Sequence, residues 1–520
     1  MMQHSFRWTM GASLLGLVCL VVGFALTGSM SLAARQQLTP RVFLPLQLRD
    51  YQAEPSSPSP FGISSSEYFD VGASPQALNL VVTAGIKHSR VALFWDQIEP
   101  VNTTPDNYNW SSVDAAILPL LAQGIEPYVL VGRSPAWAAS ADCGPLYDPN
   151  DYAELIGALA ARYPQVKYWG LYNEVDGAVY SQVHGSSGGC FGEDDLDGNG
   201  NPDYADYAEL MRLAWRAIHA ASPNAQMSFA NLAFDNFTPE TQPPDYASTG
   251  GCCFNYDFLD NLLGYIKAHP LPPGEKYGDV LGFNNYIYYD VAYWERKFPQ
   301  VGIGAKAQAL REIEAKHGFD FPLVITEMSA RATAASQSST PEISPPFSPL
   351  MLMHAPAPAA LHGVTPEMQA RQLAEMYAQL LYYDIKLGMW WTWDDFPDDC
   401  AGYPCDLFKY GIVDANYSPK PSYFAYKTLI AQLRDFKPTN AMVTSKSVNL
   451  GFRRGNLRKH FVYAKSDIFE ESSPTARMSF EAQRIRVTDM FGASSLHTDK
   501  GTGKIILTVG ANPVYVEINP

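Results

Sequence analysis

Residues 168–177 read YWGLYNEVDG. The first half is apolar and aromatic, the composition of a strand buried on both faces. It ends on an asparagine and a glutamate side by side, Asn173 and Glu174. A carboxylate at the end of a buried strand loses hydration, and that loss needs a compensating role. PLVITEM (322–328) has the same character, an apolar run carrying Glu327 next to its end. The segments between and around these two decide what they share.

From residue 60 onward short apolar runs alternate with helical stretches. The strand candidates are FGISS (61–65), HSRVALFW (88–95), EPYVLVG (126–132), VKYWGLYN (166–173), AQMSFAN (225–231), VLGFNNYIY (280–288), PLVITEM (322–328) and GMWWTWD (388–394). Between them lie helical patterns such as SPQALNLVVTAG, WSSVDAAILPLLAQG, DYAELIGALAARYP, DYAELMRLAWRAIHAASP and TPEMQARQLAEMYAQLLYYDIKLG. The last has Thr365 as N-cap and Pro366 at the first helical position, which suits the orphan amides there. Strand–helix alternation of this length predicts an α/β fold, a (β/α)8 TIM barrel with loop insertions. A doubly wound open sheet would call for a Gly-rich phosphate loop after the first strand, and FGISSSEYF has none. After PSYFAYKTLIAQL (421–433) the texture changes to alternating strands joined by Gly and Asp turns, HFVYAKSD, RIRVTDMFG, GKIILTVG and PVYVEI. These predict a small C-terminal β-sandwich. The expected organisation is a leader at 1–34, a linker at 35–59, the barrel at 60–435 and the sandwich at 436–520.

The 520 residues are 47% hydrophobic and 17% charged, a globular composition. A net charge of −16 disfavours nucleic acid and anionic membrane as partners, since both need basic patches. Aromatics reach 13%. They suit a large core and equally the flat apolar faces that stack on sugar rings.

The first 34 residues carry one charge, Arg7, and then an uncharged run from Trp8 to Ala34. Ser31 and Ala33 offer a small-residue cleavage site, so a secretory signal is expected. The run is also long enough to serve as an uncleaved membrane anchor. Either way the mature chain is expected outside the cell or on its surface. Export makes disulfides the expectation for Cys143, Cys190, Cys252, Cys253, Cys400 and Cys405. Cys400 with Cys405, around the turn-like AGYP, is the first pair expected and Cys143 with Cys190 the second. The adjacent Cys252 and Cys253 are left as a vicinal bridge or free thiols. No cysteine spacing matches a zinc site.

The active site of a barrel of this kind lies at the C-terminal ends of its strands. Strand four ends at Asn173-Glu174 and strand seven carries Glu327 near its end, so two carboxylates from opposite sides can share one pocket. That is the requirement of glycosidic cleavage. One carboxyl must be protonated to give its proton to the leaving oxygen, and the other ionised to attack the anomeric carbon or activate water.

Several segments, taken together and in order, give the region from about residue 60 to 435 a resemblance to the retaining glycoside hydrolases of clan A. The likeness is greatest to the group containing family 39 β-xylosidases and family 5 enzymes. FWDQIEP followed by YNWSSVDAAI resembles the stretch after strand two, and SPAWA the Pro-x-Trp after strand three. YWGLYNE matches the Asn-Glu signature, VITEMS the nucleophile strand, and GIVDANYSPKPSYFAY the approach to the last helix. The sandwich resembles the trailing β-domain of such enzymes.

The resemblance implies that Glu174 is the general acid/base and Glu327 the nucleophile, with Asn173 on the sugar 2-hydroxyl. Arg90 on strand two would hold Glu327 ionised. Tyr286 or Tyr288 would hydrogen-bond the nucleophile. Trp391 or Trp393 would form the sugar platform; alternation puts both on one face, so the choice stays open. Trp95 and Trp137 fit core packing as well as sugar contact. Many relatives place a histidine on strand six, where this chain has Asn284 and Asn285. The long loop 331–364 reads as a lid over the cleft or as a disordered segment. Two further readings share most of these residues, a carbohydrate-binding protein on a decayed hydrolase barrel and a transglycosylase. A monomer acting on a carbohydrate, with no cofactor for catalysis, is the expectation.

After strand four comes EDDLDGNGNPDYAD (193–206). With Asp195 first, oxygen-bearing residues fall in the order Asp197, Asn199, Asn201, Asp203 and Asp206, and Gly200 sits at the sharp turn. This follows the spacing of an EF-hand-type calcium loop, with Asp in place of the final Glu. A structural calcium ion is therefore expected beside Glu174; the alternative is a solvated Asp/Gly turn.

Overall fold

Caps written into the sequence start three of the barrel helices. Ser74 accepts a hydrogen bond from the Ala77 amide at 3.2 Å, with Pro75 at the first helical position and Gly85 closing the helix at φ 84°. Asp148-Pro149 and Thr365-Pro366 repeat the device, Thr365 accepting from the Met368 amide at 3.2 Å. The computed structural model describes residues 59–64, 71–177, 191–192, 195–233, 255, 257–287, 300–330, 332, 364–395, 409–466 and 472–520. The leader, almost all of the expected linker, Tyr288, nearly all of the loop 331–364 and every cysteine but Cys143 lie outside these residues. The expectations placed on them lie outside as well.

Eight parallel strands close on themselves: β1 (Phe61–Ser64), β2 (His88–Phe94), β3 (Glu126–Gly132), β4 (Tyr168–Leu171), β5 (Gln226–Leu232), β6 (Val280–Tyr286), β7 (Leu323–Ser329) and β8 (Gly388–Trp391). β8 returns to pair with β1, Phe61 against Gly388 through Ser64 against Trp391. Each strand is followed by a helix: α1 (Pro75–Ala84), α2 (Ser111–Ala122), α3 (Pro149–Arg162), α4 (Asp203–Ala221), α5 (Phe258–Ala268), α6 (Ile303–His317), α7 (Pro366–Tyr382) and α8 (Pro421–Leu433). The fold is a (β/α)8 barrel. Among the described residues no helix is long and apolar enough to cross a membrane.

Inside the barrel the lower layers are apolar, built from Tyr128, Leu130, Tyr168, Val280, Val324 and Met389. The upper layers are polar, and two irregularities produce them. Between β6 and β7 the register shifts, Phe283 facing Ile325 but Asn284 facing Glu327. Such a bulge re-aims side chains. Thr326 bonds Asn284 and Glu327 bonds Arg90, so neighbours on β7 both reach inward. In β5, Ala230 and Asn231 take φ of 68° and 43°, and the register with β6 shifts there too. Gly282 makes this possible, because a Cβ on it would stand 2.2 Å from Asn231 Oδ1.

Beyond α8 the chain forms β9 (Lys437–Val443), β10 (Ser447–Arg454), β11 (Leu457–Ala464), β12 (Ala476–Phe480), β13 (Arg484–Asp489), β14 (Ser494–Thr498), β15 (Ile505–Val509) and β16 (Val514–Ile518). Six of these make an antiparallel sheet in the order β14-β13-β16-β11-β10-β9, and β12 with β15 makes a two-stranded ribbon. Sheet and ribbon enclose a small core of Val462, Met478, Phe480, Ile485, Ile505, Val509 and Val516. It is a sandwich of unequal layers. The other face of the large sheet joins the barrel's own core through Leu450, Phe452, Phe461 and Tyr515.

Candidate active site

β4 stops at Leu171, and Tyr172 and Glu174 then adopt φ of 51° and 48°. Non-glycine residues rarely hold this conformation without outside support. Asn231, fully buried, supplies it. Its Nδ2 donates to the carbonyls of Leu171 (3.1 Å) and Tyr172 (2.8 Å), and its own carbonyl accepts the Glu174 amide at 2.9 Å. Its Oδ1 accepts from Tyr128 and Ser228, both at 2.9 Å. A fully bonded buried amide is rigid. The turn that presents Asn173 and Glu174 is therefore held from the neighbouring strand.

Arg90 projects from β2 with 6% of its surface exposed. Its Nη1 lies 2.8 Å from Glu327 Oε1 and 3.3 Å from Ser64 Oγ, while Nη2 donates to Asn173 Oδ1 at 2.9 Å. One guanidinium thus ties β1, β7 and the end of β4 together. Tyr286, at the end of β6, donates its hydroxyl to Glu327 Oε2 at 2.9 Å. Burial, then the charges of Glu327 and Glu174, push the Tyr286 phenol well above its ordinary value. It stays a neutral donor, and both carboxyl groups act on it.

Glu174 accepts from Asn284 Nδ2 at 2.8 Å, and Asn284 Oδ1 accepts from Thr326 Oγ1 at 2.6 Å. At this point of strand six the chain positions Glu174 with a neutral carboxamide. Buried Lys306, on α6, fixes the backbone at that point by donating to the carbonyls of Asn284 and Ala233, both at 2.7 Å.

The tryptophans separate. Trp391 is half-buried and meets Tyr286 edge-on, ring centroids 6.5 Å apart. Trp393 is 1% exposed and belongs to the core. The alternation that would put both on one face ends with β8 at Trp391. Trp95 is fully buried and donates to Glu99 Oε2 at 2.9 Å, so of its two readings core packing holds. Trp137 is half-buried, stands edge-on to Trp95 at 5.2 Å and gives its N–H to the Glu99 carbonyl at 3.0 Å.

The structure does not support the calcium site. Among the described residues no three His, Cys, Asp or Glu side chains are grouped so as to hold a metal ion. The loop satisfies its carboxylates with N–H donors instead. Asn199 Nδ2 bonds Asp197 and Asp206, the Gly200 amide bonds Asp195, and the Asn201 amide bonds Asn199 Oδ1. Asp203 is buried at the start of α4 and accepts the Leu196 amide at 2.8 Å. The spacing describes an Asx-rich turn, closed by Gly198 and Gly200 at φ 72° and 86°.

Sequence reasoning passed over Asn231, Thr326 and Ser64. AQMSFAN ends in Asn231 much as YWGLYN ends in Asn173, and that parallel was the available signal.

No protein-family model and no curated protein sequence matches the chain. Solved structures do. A family 39 glycoside hydrolase from the gut symbiont Bacteroides cellulosilyticus WH2 aligns at TM-score 0.62 and 15% identity, over 88% of this chain and 81% of that one. A glucosidase from Croceicoccus marinus aligns at 0.53 and 14%, over 88% and 94%. A monomeric β-xylosidase from Caulobacter crescentus CB15 aligns at 0.52 and 17%, over 89% and 98%. At these identities the likeness is one of fold, and it extends from the barrel through the trailing β-domain.

Proposed function

We propose that the protein is a retaining glycoside hydrolase, exported by its N-terminal segment and acting as a monomer on a β-linked glycan or glycoside. The observation that carries this reading is the Arg90 bridge, 2.8 Å from Glu327 and 2.9 Å from Asn173 beside Glu174. The two carboxyl groups have unlike partners. Glu327 faces a guanidinium and a phenol, and it is the group that would attack the anomeric carbon. Glu174 faces the Asn284 carboxamide, a neutral donor compatible with a carboxyl that carries the proton. In the first step Glu174 protonates the leaving oxygen as Glu327 forms the glycosyl-enzyme; in the second Glu174 takes a proton from water, which hydrolyses it. Asn173, oriented by Arg90, would meet the sugar 2-hydroxyl, a contact that strengthens as the oxocarbenium ion develops. The likeness of fold to a family 39 hydrolase and to a β-xylosidase is consistent with this chemistry.

Substitution of each glutamate tests the assignment. Glu327→Ala should abolish turnover of an aryl glycoside, and azide should not restore a product of retained configuration. Glu174→Ala should slow poor leaving groups most, and azide should rescue it in part. If either variant turned over like the parent chain, the reading would be wrong.

A further inference from the structure

Tyr410 stands apart among the loop residues because several buried polar groups are committed to its backbone. Its carbonyl accepts Trp390 Nε1 at 3.0 Å and Gln369 Nε2 at 3.2 Å, and Gln369 is fully buried on α7. Gln369 is held in turn by Ser422 Oγ at 3.0 Å. The next residue, Gly411, donates its amide to Asp395 Oδ1 at 2.9 Å, and Asp395 is paired with Lys420 at 2.9 and 3.1 Å. Gly411 tolerates no side chain, since a Cβ would lie 2.2 Å from the Asp395 nitrogen. Burying a carboxylate and an amide costs free energy unless both are well bonded, and here both bond this segment, Gln369 reaching the Ala330 carbonyl as well at 2.9 Å. The held ring is only half-buried. Its centroid is 5.0 Å from Trp391 at a 60° tilt and 6.4 Å from Tyr286, the donor to Glu327.

We propose that Tyr410 is a substrate-contacting residue, one of two walls of an aromatic corner that with Trp391 receives the apolar face of a pyranose ring next to Glu327. Asp395 and Gln369 are positioning residues that hold this wall. The inference rests on the hydrolase reading and deepens it. Two aromatic faces inclined to each other fit a puckered ring with axial C–H groups on its faces and hydroxyls at its rim, and a flat aromatic ligand would fill only one of them.

The experiment is steady-state turnover of an aryl glycoside by the parent chain, Tyr410→Ala, Tyr410→Phe, Asp395→Asn and the double variant Y410A/D395N. Tyr410→Ala should raise KM about tenfold with kcat within about threefold. Tyr410→Phe should reverse most of the KM rise seen in Tyr410→Ala, because the face more than the hydroxyl makes the contact. Asp395→Asn should raise KM in the same direction. The double variant should be no worse than Tyr410→Ala, since a positioning residue has nothing left to position. An unchanged KM in Tyr410→Ala overturns the wall, and so does Tyr410→Phe as weak as Tyr410→Ala. Additive effects in the double variant overturn the positioning role. If the parent chain turns over no aryl glycoside, the hydrolase reading fails by itself. The wall is then read from tryptophan fluorescence on titration with xylose- and glucose-configured iminosugars. Binding weakened about tenfold in Tyr410→Ala supports it; equal binding, or none by the parent chain, overturns it.

Discussion

Val280, Gly282, Asn284 and Tyr286 follow one another on the inner face of a single strand, and the character of the barrel changes along them. At the lower end Val280 packs with Val324, Leu130 and Met389. Two residues up, Gly282 gives room to Asn231; above it Asn284 and Tyr286 each hold a glutamate. The lower end is what hydrophobic burial alone would build. The upper end is a stack of buried polar groups, each stable only because a neighbour completes its bonding. Stability and chemistry are thus separated along one axis by less than the length of a strand.

Replacing Arg90 by Met attacks the upper end at its most shared group. It leaves Glu327 without its counter-charge and Asn173 without its donor, so kcat/KM of an aryl glycoside should fall at least ~10³-fold. A circular dichroism spectrum like the parent's would separate this from unfolding. Asn284→Ala removes one positioning bond from Glu174 and should cost about 10- to 100-fold in kcat, most for poor leaving groups. A uniform effect across leaving groups would deny the acid role. Met389→Ala addresses the lower end, fully buried in the apolar layers. It should lower unfolding free energy by about 2–5 kcal/mol, seen as a drop in Tm, with kcat within about twofold. A comparable loss of activity would mean that the two ends are not separable.

The smallest effect concerns Asp394. Burial, opposed by a local backbone hydrogen bond and reinforced by the charge of Asp395, pushes its carboxyl up to about 7, and its Oδ1 has no hydrogen-bond partner. A carboxyl whose folded value exceeds its unfolded value binds more protons in the native state. Its protonation therefore supports the fold at low pH, and stability is lost as pH rises from about 4 through about 7. Asp394→Asn should leave Tm unchanged at pH 4 and raise it by a few degrees at pH 8. An equal change at both pH values would show that titration is not the cause.

The lower end was the more legible in the sequence. EPYVLVG was read residue for residue as β3 because β-propensity, a continuous apolar run and flanking turn residues all agree there. The glutamates were legible because charge at the end of an apolar run is conspicuous. Their supports were not. Glu327 faces inward by virtue of a register shift, and no glycine or proline on β7 announces it. Asn231 acts through left-handed backbone at Ala230 and Asn231; asparagine tolerates that conformation, but nothing in the sequence marks Ala230 for it. Tyr410 lies in a loop whose form depends on Asp395, fifteen residues earlier, and on Gln369 from another helix. The calcium reading finds no support among the described residues, since a spacing of oxygens does not by itself say what they will bond.

The shared core between the barrel and the large C-terminal sheet bears on how such a protein can be rearranged. Gln379 of α7 accepts the Ile303 amide at 3.2 Å and donates to Tyr463 of β11 at 3.3 Å, and Phe452 stands edge-on to Tyr382. Ending the chain after α8 would uncover an oily face on the barrel flank and strip a partner from a residue that braces α6. The β-domain is therefore not a portable attachment, in the manner of binding modules joined by tethers. Grafting either part onto a foreign partner should yield an insoluble product, and heat should melt both parts in one calorimetric peak.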